Sequence, residues 1–572
     1  MGKRFVSLDI LRGLAIIFML VLHVFYAVLD VTSMRLNGFE NPILNLLLLM
    51  ALPVLGGMTG LFLMVSAIGN MVSMTKQMQS GRKSGQVALR QITGGVLLLI
   101  FAMLVEGLIG YYGYLGEFVQ HIGDFEAIDH TVWKWRWLQQ GTLHTIAWSQ
   151  ILNGILHGIL ASKERWKNYR FIRTSYLIGM VVVLGLTVLF WWLAREVYPG
   201  YPYTLNPDTG VPVMYAYLGR SSFKDGVLLF IFGPLAGHWE PIFPYLATSF
   251  LGSIIGAYIM QDRSKISHKK IRLFFFLGLF IVFVGLTGFA INTVAMIRQV
   301  GYNATIDPYY VNLWDLTYQT QDNLVPYAGW LFIYLLLTGV ALIFVMSFFA
   351  LIELRGNPEK FAKRTRIIRQ FGTFGLTIYT IQGVFFVVHY LLTFTSDPYH
   401  FLDWGYAFLA LILTLVAMYG IFWIWGKLRY IGTLEWCYGS IAMLIVPGKI
   451  KREKTERKQY FREKLDFKNI LDNENWIELD PYRRESIHNL EKANIRDSKI
   501  ALYYSICSLL FFPYVVFSLI IVGSYLKRKY KDWRTWVTLI ICIFVIILIT
   551  GIFILSSMFT LEQLGLAALL GF

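Results

Sequence analysis

Residues 4–23, Arg4-Phe-Val-Ser-Leu-Asp9-Ile-Leu-Arg12-Gly-Leu-Ala-Ile-Ile-Phe-Met-Leu-Val-Leu-His23, form an apolar run of membrane-spanning length that carries an acid, a base and an imidazole. A charged side chain inside a spanning helix costs about 3 kcal/mol unless it faces a protein interior or a wet cavity, so such residues mark chemistry or transport. At 100° per residue Asp9, Arg12, Ile16, Met19 and His23 fall on one stripe, about 20 Å long at 1.5 Å per residue. One face of this helix is therefore polar at both ends.

The rest of the chain is of the same kind. Of its 572 residues 56% are hydrophobic and 16% aromatic, with a mean hydropathy of +0.55, which describes a polytopic membrane protein and excludes an ordinary soluble domain. The net charge of +16 does not point to nucleic acid, because membrane proteins collect Lys and Arg in cytoplasmic loops to fix their orientation. Cys437, Cys507 and Cys542 are widely spaced and contain no CxxC, so neither a disulfide framework nor a thiolate metal site is indicated. The first apolar run follows Lys3 and Arg4, exceeds a signal-peptide core and lacks a small-x-small cleavage site, so it reads as a retained signal anchor.

Apolar runs near 8–29, 43–74, 91–115, 141–162, 174–194, 241–261, 271–297, 326–354, 371–394 and 404–426 predict an all-α fold, a ten-helix transmembrane bundle. One set of alternate loops holds 22 Lys and Arg and the other seven, which predicts a cytoplasmic N-terminus in the cell membrane. Asn303-Ala304-Thr305 is a glycosylation sequon on the opposite side. Residues 1–447 thus read as one transmembrane domain and 448–500, opening with Lys449-Ile-Lys-Arg-Glu-Lys-Thr-Glu-Arg-Lys458, as a charged membrane-peripheral segment. Residues 501–572 read as a C-terminal membrane segment of two hydrophobic helices, near 501–526 and 534–557. Here the charge rule breaks: if 449–500 is inside, Lys527-Arg-Lys-Tyr-Lys-Asp-Trp-Arg534 falls outside. Either residues 430–447 also span, or one of the last segments re-enters around Pro513.

With the N-terminus inside, the membrane-level imidazoles and carboxylates gather toward the outer surface. His23 and Glu106 lie in outer parts of the first and third runs, His144 opens the fourth, and His238 and Glu240 precede the sixth. Tyr379, Gln382 and His389 fall at i, i+3 and i+10 on roughly one face of the ninth. Any one such histidine is as well read as a hydrogen-bonded packing residue; six imidazoles and carboxylates at one level point to a site if the helices converge. Asp9 and Arg12, at the cytoplasmic end, read either as a local i, i+3 ion pair or as a guanidinium that grips the phosphate of a nucleotide-bearing donor, extended by Lys76, Arg82, Lys83 and Arg90. Gly56-Gly57-Met58-Thr59-Gly60, with Ser66 one and a half turns on, allows close helix approach or leaves room for a flat ligand. No Walker motif, HExxH, nucleophile elbow or metal-spaced His/Cys set is present, and no metal is expected.

At these residues the chain resembles the transmembrane acyltransferase superfamily. Arg4-x4-Asp9-x2-Arg12-Gly-x-Ala15-x7-His23 resembles the opening helix of surface-glycan O-acyltransferases and of heparan-α-glucosaminide N-acetyltransferase-like membrane families. Gly57-x2-Gly60-x-Phe62-x2-Val65-Ser66 is similar to their second-helix pattern. Gly141-Thr-Leu-His144-Thr-Ile146, Pro241-Ile-Phe-Pro244-Tyr-Leu-Ala-x3-Leu251-Gly252-x3-Gly256 and Phe374-Gly-Leu-x-Ile-Tyr379-x-Ile-Gln382 continue the series. Gly432-Thr-Leu-Glu435-Trp436 resembles a closing GPLEW-type motif, with Thr433 where that motif has Pro.

The resemblance implies transfer of an acyl group, commonly acetyl, from cytoplasmic acyl-CoA to an acceptor beyond the membrane. Arg12 matches the family's required arginine and His23 the histidine of the O-acyltransferase branch. The glucosaminide branch has Asn at that position and a histidine in the first outer loop, where residues 30–41 here contain none, and many relatives carry His where Gln382 stands. The expected catalytic set is His23 as general base with Glu106, His144, Gln382 and His389 around it, and the expected donor-binding set is Asp9, Arg12, Gly57, Gly60 and Ser66. The expected partners are acyl-CoA, a glycan or lipid acceptor offering a hydroxyl or less readily an amine, and membrane lipids, with a homodimer left open and no nucleic acid. A transporter or flippase would use the same polar groups. A glycosyltransferase using Asp30, Glu117 or Asp124 would need a carboxylate pair, and no DxD or ExD stands in the first outer loop.

Overall fold

The computed structural model describes residues 4–29, 58–110, 113–122, 125–128, 137–138, 141–197, 203–205, 212–214, 223–236, 241–262, 265–300, 318–320, 323–325, 329–354, 358–393, 404–445, 465–472, 476, 490–509 and 514–558. Helices stand in each of the ten predicted runs: α1 Val6–Val28, α2 Met58–Gln79, α3 Ser84–Leu104, then after the short α4 Tyr114–Gln120, α5 Thr142–Leu160 and α6 Tyr169–Val197. They continue with α7 Phe223–Ala236, α8 Ile242–Ile259, α9 His268–Val300 and α10 Gly329–Ile352. Three short helices follow, α11 Pro358–Arg364, α12 Arg366–Thr373 and α13 Gly375–Ile381, then α14 Val384–Thr393, α15 Trp404–Lys427, α16 Leu434–Ile445 and α17 Phe467–Asp472. Two small antiparallel hairpins, Tyr203–Leu205 with Pro212–Met214 and Tyr318–Thr320 with Asn323–Val325, amend the all-α expectation.

Among the described residues seven helices are long and apolar enough to cross a membrane, eight if the bent pair Gly375–Ile381 and Val384–Leu392 counts as one. The ninth run is thus not one straight helix but a chain of pieces with a 41° bend near Gln382–Gly383. α5 is less apolar than these spanning helices because it carries part of the polar interior. Thr145, Ser149, Asn153 and His157 of α5 are all buried on one i, i+4 face, where Asn153 bonds Ser249 and Ser253 of α8 at 2.5 and 3.0 Å. α16 has 12 residues, about 18 Å of helix.

Glycines set the closest crossings. A Cβ on Gly13 would collide with the Ile368 carbonyl, and one on Gly372 would lie 2.6 Å from the Asp9 carbonyl, so α1 and α12 touch backbone to backbone. Gly252 and Gly256 do the same for α8 against Met64 and Ile68 of α2. An apolar core of Ile16, Leu20, Phe371, Phe374, Ile378 and Phe422 then fills the space around α1, α12, α13 and α15.

Two helices that lack caps of their own borrow a glutamate from elsewhere. α1 starts after Phe5, which has no capping side chain, and the Ser7 N–H and Oγ both donate to Glu353 Oε1, at 2.9 and 3.0 Å. α13 starts after Phe374, and the N–H groups of Leu376 and Thr377 donate to Glu435 Oε1 at 2.7 and 3.1 Å, while the Thr377 hydroxyl bonds Oε2. Thr433 caps α16 in turn, its Oγ1 accepting the Trp436 N–H at 3.2 Å, so the threonine supplies locally what a proline at that position does not. Glu435→Ala is expected to cost about 3 kcal/mol of unfolding free energy in detergent, and Glu435→Gln less, because it keeps an acceptor.

Glu353 lies just past the span Leu331–Ile352, and its carboxyl is pushed up to about 7, by burial first, against the Ser7 and Val6 hydrogen bonds, with the Asp9 charge adding to the rise. A carboxyl raised in the folded state stabilises the fold fully below its ordinary 4.5, and that contribution is lost as pH rises through about 7. Thermal stability is expected to fall by roughly 3 kcal/mol across this window, and Glu353→Gln is expected to flatten the dependence.

The chain divides into two compact units, the second holding Glu478–Phe572. Phe467, Leu471 and Trp476 belong to the first unit, where Arg369 lies over the Trp476 ring at 4.9 Å and the Phe467 ring lies tilted 5.5 Å from that of Phe374. From Leu490 the chain belongs to the second unit, α18 Leu490–Ser508, α19 Tyr514–Leu526 and α20 Trp533–Met558. α18 and α19 run antiparallel, Ser518 donating to the Ala501 carbonyl at 2.7 Å and Tyr504 lying 5.5 Å from Tyr514. At their open end Arg528 pairs with Asp497 at 2.7 Å and Ser498 donates to Asp532 at 2.9 Å.

Candidate functional site

Two hydrogen-bonded pairs meet on α13. His23, in the second half of α1, has Nδ1 2.7 Å from Oε1 of the fully buried Gln382. An amide oxygen only accepts, so Nδ1 donates, and in the neutral ring Nε2 is then the nitrogen that carries the lone pair. One turn earlier the Tyr379 hydroxyl donates to Glu106 Oε1 at 2.6 Å. The i, i+3 spacing of Tyr379 and Gln382 sets the two pairs about 5–6 Å apart along α13. Met19, one turn before His23, packs in the same apolar cluster as Leu63, Val105, Leu143 and Tyr379.

Glu106 reaches this position through a π-helical turn, Val105–Ile109, at the end of α3. Such a turn inserts a residue and swings the following side chains, and it recurs at functional sites. The carboxylate lies against the backbone of Gly141, where a Cβ would stand 2.8 Å from Oε1. The Gly141 N–H in turn donates to His144 Nδ1 at 3.0 Å, which caps α5. His144 is thereby a donor and not a base: its buried Nε2–H has no partner among the described residues. Glu106, Gly141, His144 and Tyr379 form one connected group beside the His23–Gln382 pair.

His389 does not join it. The bend after α13 carries it onto α14, where its Nδ1 and carbonyl lie 2.8 and 3.2 Å from the Tyr406 hydroxyl of α15. The expectation of one face through Tyr379, Gln382 and His389 is corrected on this point, since it assumed an unbroken helix. His389 fastens the α14–α15 hairpin. Gly57, His238, Glu240, Asp30, Asp124, the 30–41 loop and the 303–305 sequon lie outside the described residues. Glu117 stands on the short helix α4.

The other end of α1 is cationic. Asp9 accepts Arg4 at 3.4 Å and Arg12 at 3.9 Å, so the i, i+3 pair exists but is loose, with the Arg12 side chain 34% exposed. Its guanidinium covers Gly69 of α2, one turn beyond the half-buried Ser66, and a Cβ on Gly69 would collide with it. Gly60, higher on α2, is buried with nothing within 4 Å of where a Cβ would stand, so open space lies beside it. Lys76 belongs to this end as well, since burial and then the nearby Arg4 charge hold its ammonium below the ordinary lysine value. Arg12 and His23 are 11 positions apart on α1, about 16 Å. Arg82 bonds Gln77 at 3.4 Å instead of extending the cluster.

Sequence reasoning missed the role of Glu435 and Glu353 as anchors of the two site helices. Glu435 stood within the motif Gly432-Thr-Leu-Glu435-Trp436, so its signal was present without its meaning. Among the described residues no group of three or more His, Cys, Asp or Glu is placed to hold a metal. A scan of protein-family models returns no match to the chain, and a search of curated proteins returns none either.

Proposed function

We propose that the chain is a membrane-embedded acyltransferase, a ten-span bundle of the cell membrane with a cytoplasmic N-terminus, that moves an acyl group, in the first instance acetyl, from cytoplasmic acyl-CoA to a hydroxyl at the outer face. The observation that carries this reading is the His23–Gln382 hydrogen bond, which joins residues 359 positions apart and orients the imidazole through Nδ1 beside Glu106–Tyr379. The order of motifs that resembles the transmembrane acyltransferase superfamily supports it independently.

In this reading Arg12, with Arg4 and Lys76 close by, receives the phosphates of the donor at one mouth, a task suited to a planar, permanent cation. The acyl end of the donor lies farther along α1, toward His23. His23 Nε2 takes the proton from the acceptor hydroxyl as its oxygen attacks the thioester carbonyl. The negative charge that develops on the carbonyl oxygen is met by a preorganised donor, for which the unpartnered Nε2–H of His144 is suited. Collapse breaks the C–S bond, and the imidazolium returns its proton to the departing thiolate, so ester and free thiol leave with no net proton change. Glu106 and Tyr379 hold the wall of the site in place.

The test is incorporation of label from radioactive acetyl-CoA into glycan or lipid of membranes that contain the protein. The reading predicts a product whose label is released by mild base, as an ester is. Solute uptake with no dependence on CoA, and no labelled product, would favour the transporter instead.

A further inference from the structure

The turn between α19 and α20 carries Lys527, Arg528, Lys529, Lys531 and Arg534, and its two arginines are already engaged, Arg528 with Asp497 at 2.7 Å and Arg534 with Asp532 at 3.0 Å. Lys527, Lys529 and Lys531 are exposed, and Lys529 sits at positive φ, at the tip of the turn. Two tryptophans stand beside them, Trp533 62% and Trp536 58% exposed, with Arg534 over the first ring at 5.1 Å and Lys531 over the second at 6.0 Å. Exposed indoles with adjacent cations are the side chains that sit at a membrane–water interface.

The depth of the α18–α19 hairpin says which interface. Asp497 and Arg528 are in contact, so the hairpin leaves one level and returns to it. From Asp497 to Ser508 is about 16 Å of helix, and from Tyr514 to Leu526 about 18 Å, against a hydrocarbon core of about 30 Å. The hairpin is too short to cross. Its flanks expose Ile506, Leu509, Val516 and Ile520, side chains suited to acyl tails. A re-entrant hairpin returns 527–534 to the level of Asp497.

We propose that residues 527–536 form a seat for anionic phospholipid headgroups on the face that the re-entrant α18–α19 hairpin leaves and rejoins. Lys527, Lys529 and Lys531 meet the phosphates, and Trp533 and Trp536 lie at the boundary of headgroup and tail. Asp497 takes Arg496 and Arg528 and Asp532 takes Arg534, so neither acid cancels the charge of the three exposed lysines. The proposal rests on membrane embedding and is independent of acyl transfer.

Full-length protein in nanodiscs is compared in phosphatidylcholine alone and with phosphatidylglycerol added, reading retained lipid by native mass spectrometry. Retention of phosphatidylglycerol over phosphatidylcholine is expected, weakening roughly five-fold per lysine replaced and about a hundred-fold in the K527Q/K529Q/K531Q triple variant. Excess inorganic phosphate should not displace the lipid. Equal retention of the two lipids, an unchanged triple variant, or displacement by phosphate each overturns the assignment. Sidedness is read by an impermeant maleimide on Lys529→Cys beside Glu491→Cys at the other end of the hairpin. Labelling of both from one side is expected, and labelling from opposite sides overturns the re-entrant hairpin. Acetyl-CoA binding by the triple variant is expected to be unchanged, so failure here is distinguishable from failure of the acyltransferase reading.

Discussion

His23→Ala is expected to lower acyl transfer by about 10²- to 10⁴-fold, the usual contribution of a positioned general base, with little change in the amount of folded protein. The geometry explains why the loss should be so large. Gln382 accepts from Nδ1 at 2.7 Å and so holds the ring in the tautomer whose Nε2 can take a proton. Removing the amide while keeping the ring is a milder change: Gln382→Leu is expected to cost about ten-fold, because the tautomer and ring angle are no longer fixed. A purely structural role for His23 predicts something else. The rate would then fall with the amount of folded protein, and the pH–rate profile of the remaining activity would keep its shape. A general base predicts that the limb due to the imidazole disappears in His23→Ala.

The second large effect is expected at Glu106. Its carboxylate accepts the Tyr379 hydroxyl at 2.6 Å in a buried setting, so Glu106→Ala leaves a buried phenol without that acceptor and should cost about 2 kcal/mol in stability. The loss in rate should be greater than stability alone explains, by about ten- to a hundred-fold, because Tyr379 sits one turn from Gln382 and its displacement moves the partner of His23. Tyr379→Phe should give a smaller effect of the same kind. A double-mutant cycle between Glu106→Gln and Tyr379→Phe is expected to show coupling of about 1–3 kcal/mol. Additive effects would mean that the pair does not act as a unit.

Much of the fold was legible because hydropathy reports length and apolarity, which is what a spanning helix must have. Each of the ten predicted runs holds helix. What hydropathy does not report is a change of direction inside an apolar run, so the bend at Gln382–Gly383 went unread and the grouping of His389 on one face assumed a straight helix. The π-turn at Glu106 has no composition of its own either. The first of the two small hairpins had a partial signal, since Asn206-Pro-Asp-Thr-Gly210 is turn chemistry between Tyr203–Leu205 and Pro212–Met214, but strands of three residues are too short for periodicity to register.

The candidate site was legible as a set of residue types and illegible as a set of pairs. His23 and Gln382, Glu106 and Tyr379, Ser7 and Glu353, and Thr377 and Glu435 are each tens to hundreds of positions apart, and no local spacing encodes a contact that only tertiary packing makes. His144 is the exception. Its place three residues after Gly141, at a helix start, follows the spacing of a capping box, and that reading would have assigned it as an acceptor at Nδ1 from sequence alone.

The account depends most on the donor entering at the Arg12 end of α1 and reacting at the His23 end. The most direct measurement is equilibrium binding of labelled acetyl-CoA to purified protein in detergent, wild type beside Arg12→Ala and His23→Ala. Saturable binding that Arg12→Ala weakens at least ten-fold, and that His23→Ala leaves intact, is the predicted result. Absence of saturable binding to the folded wild type, or binding indifferent to Arg12, would contradict it.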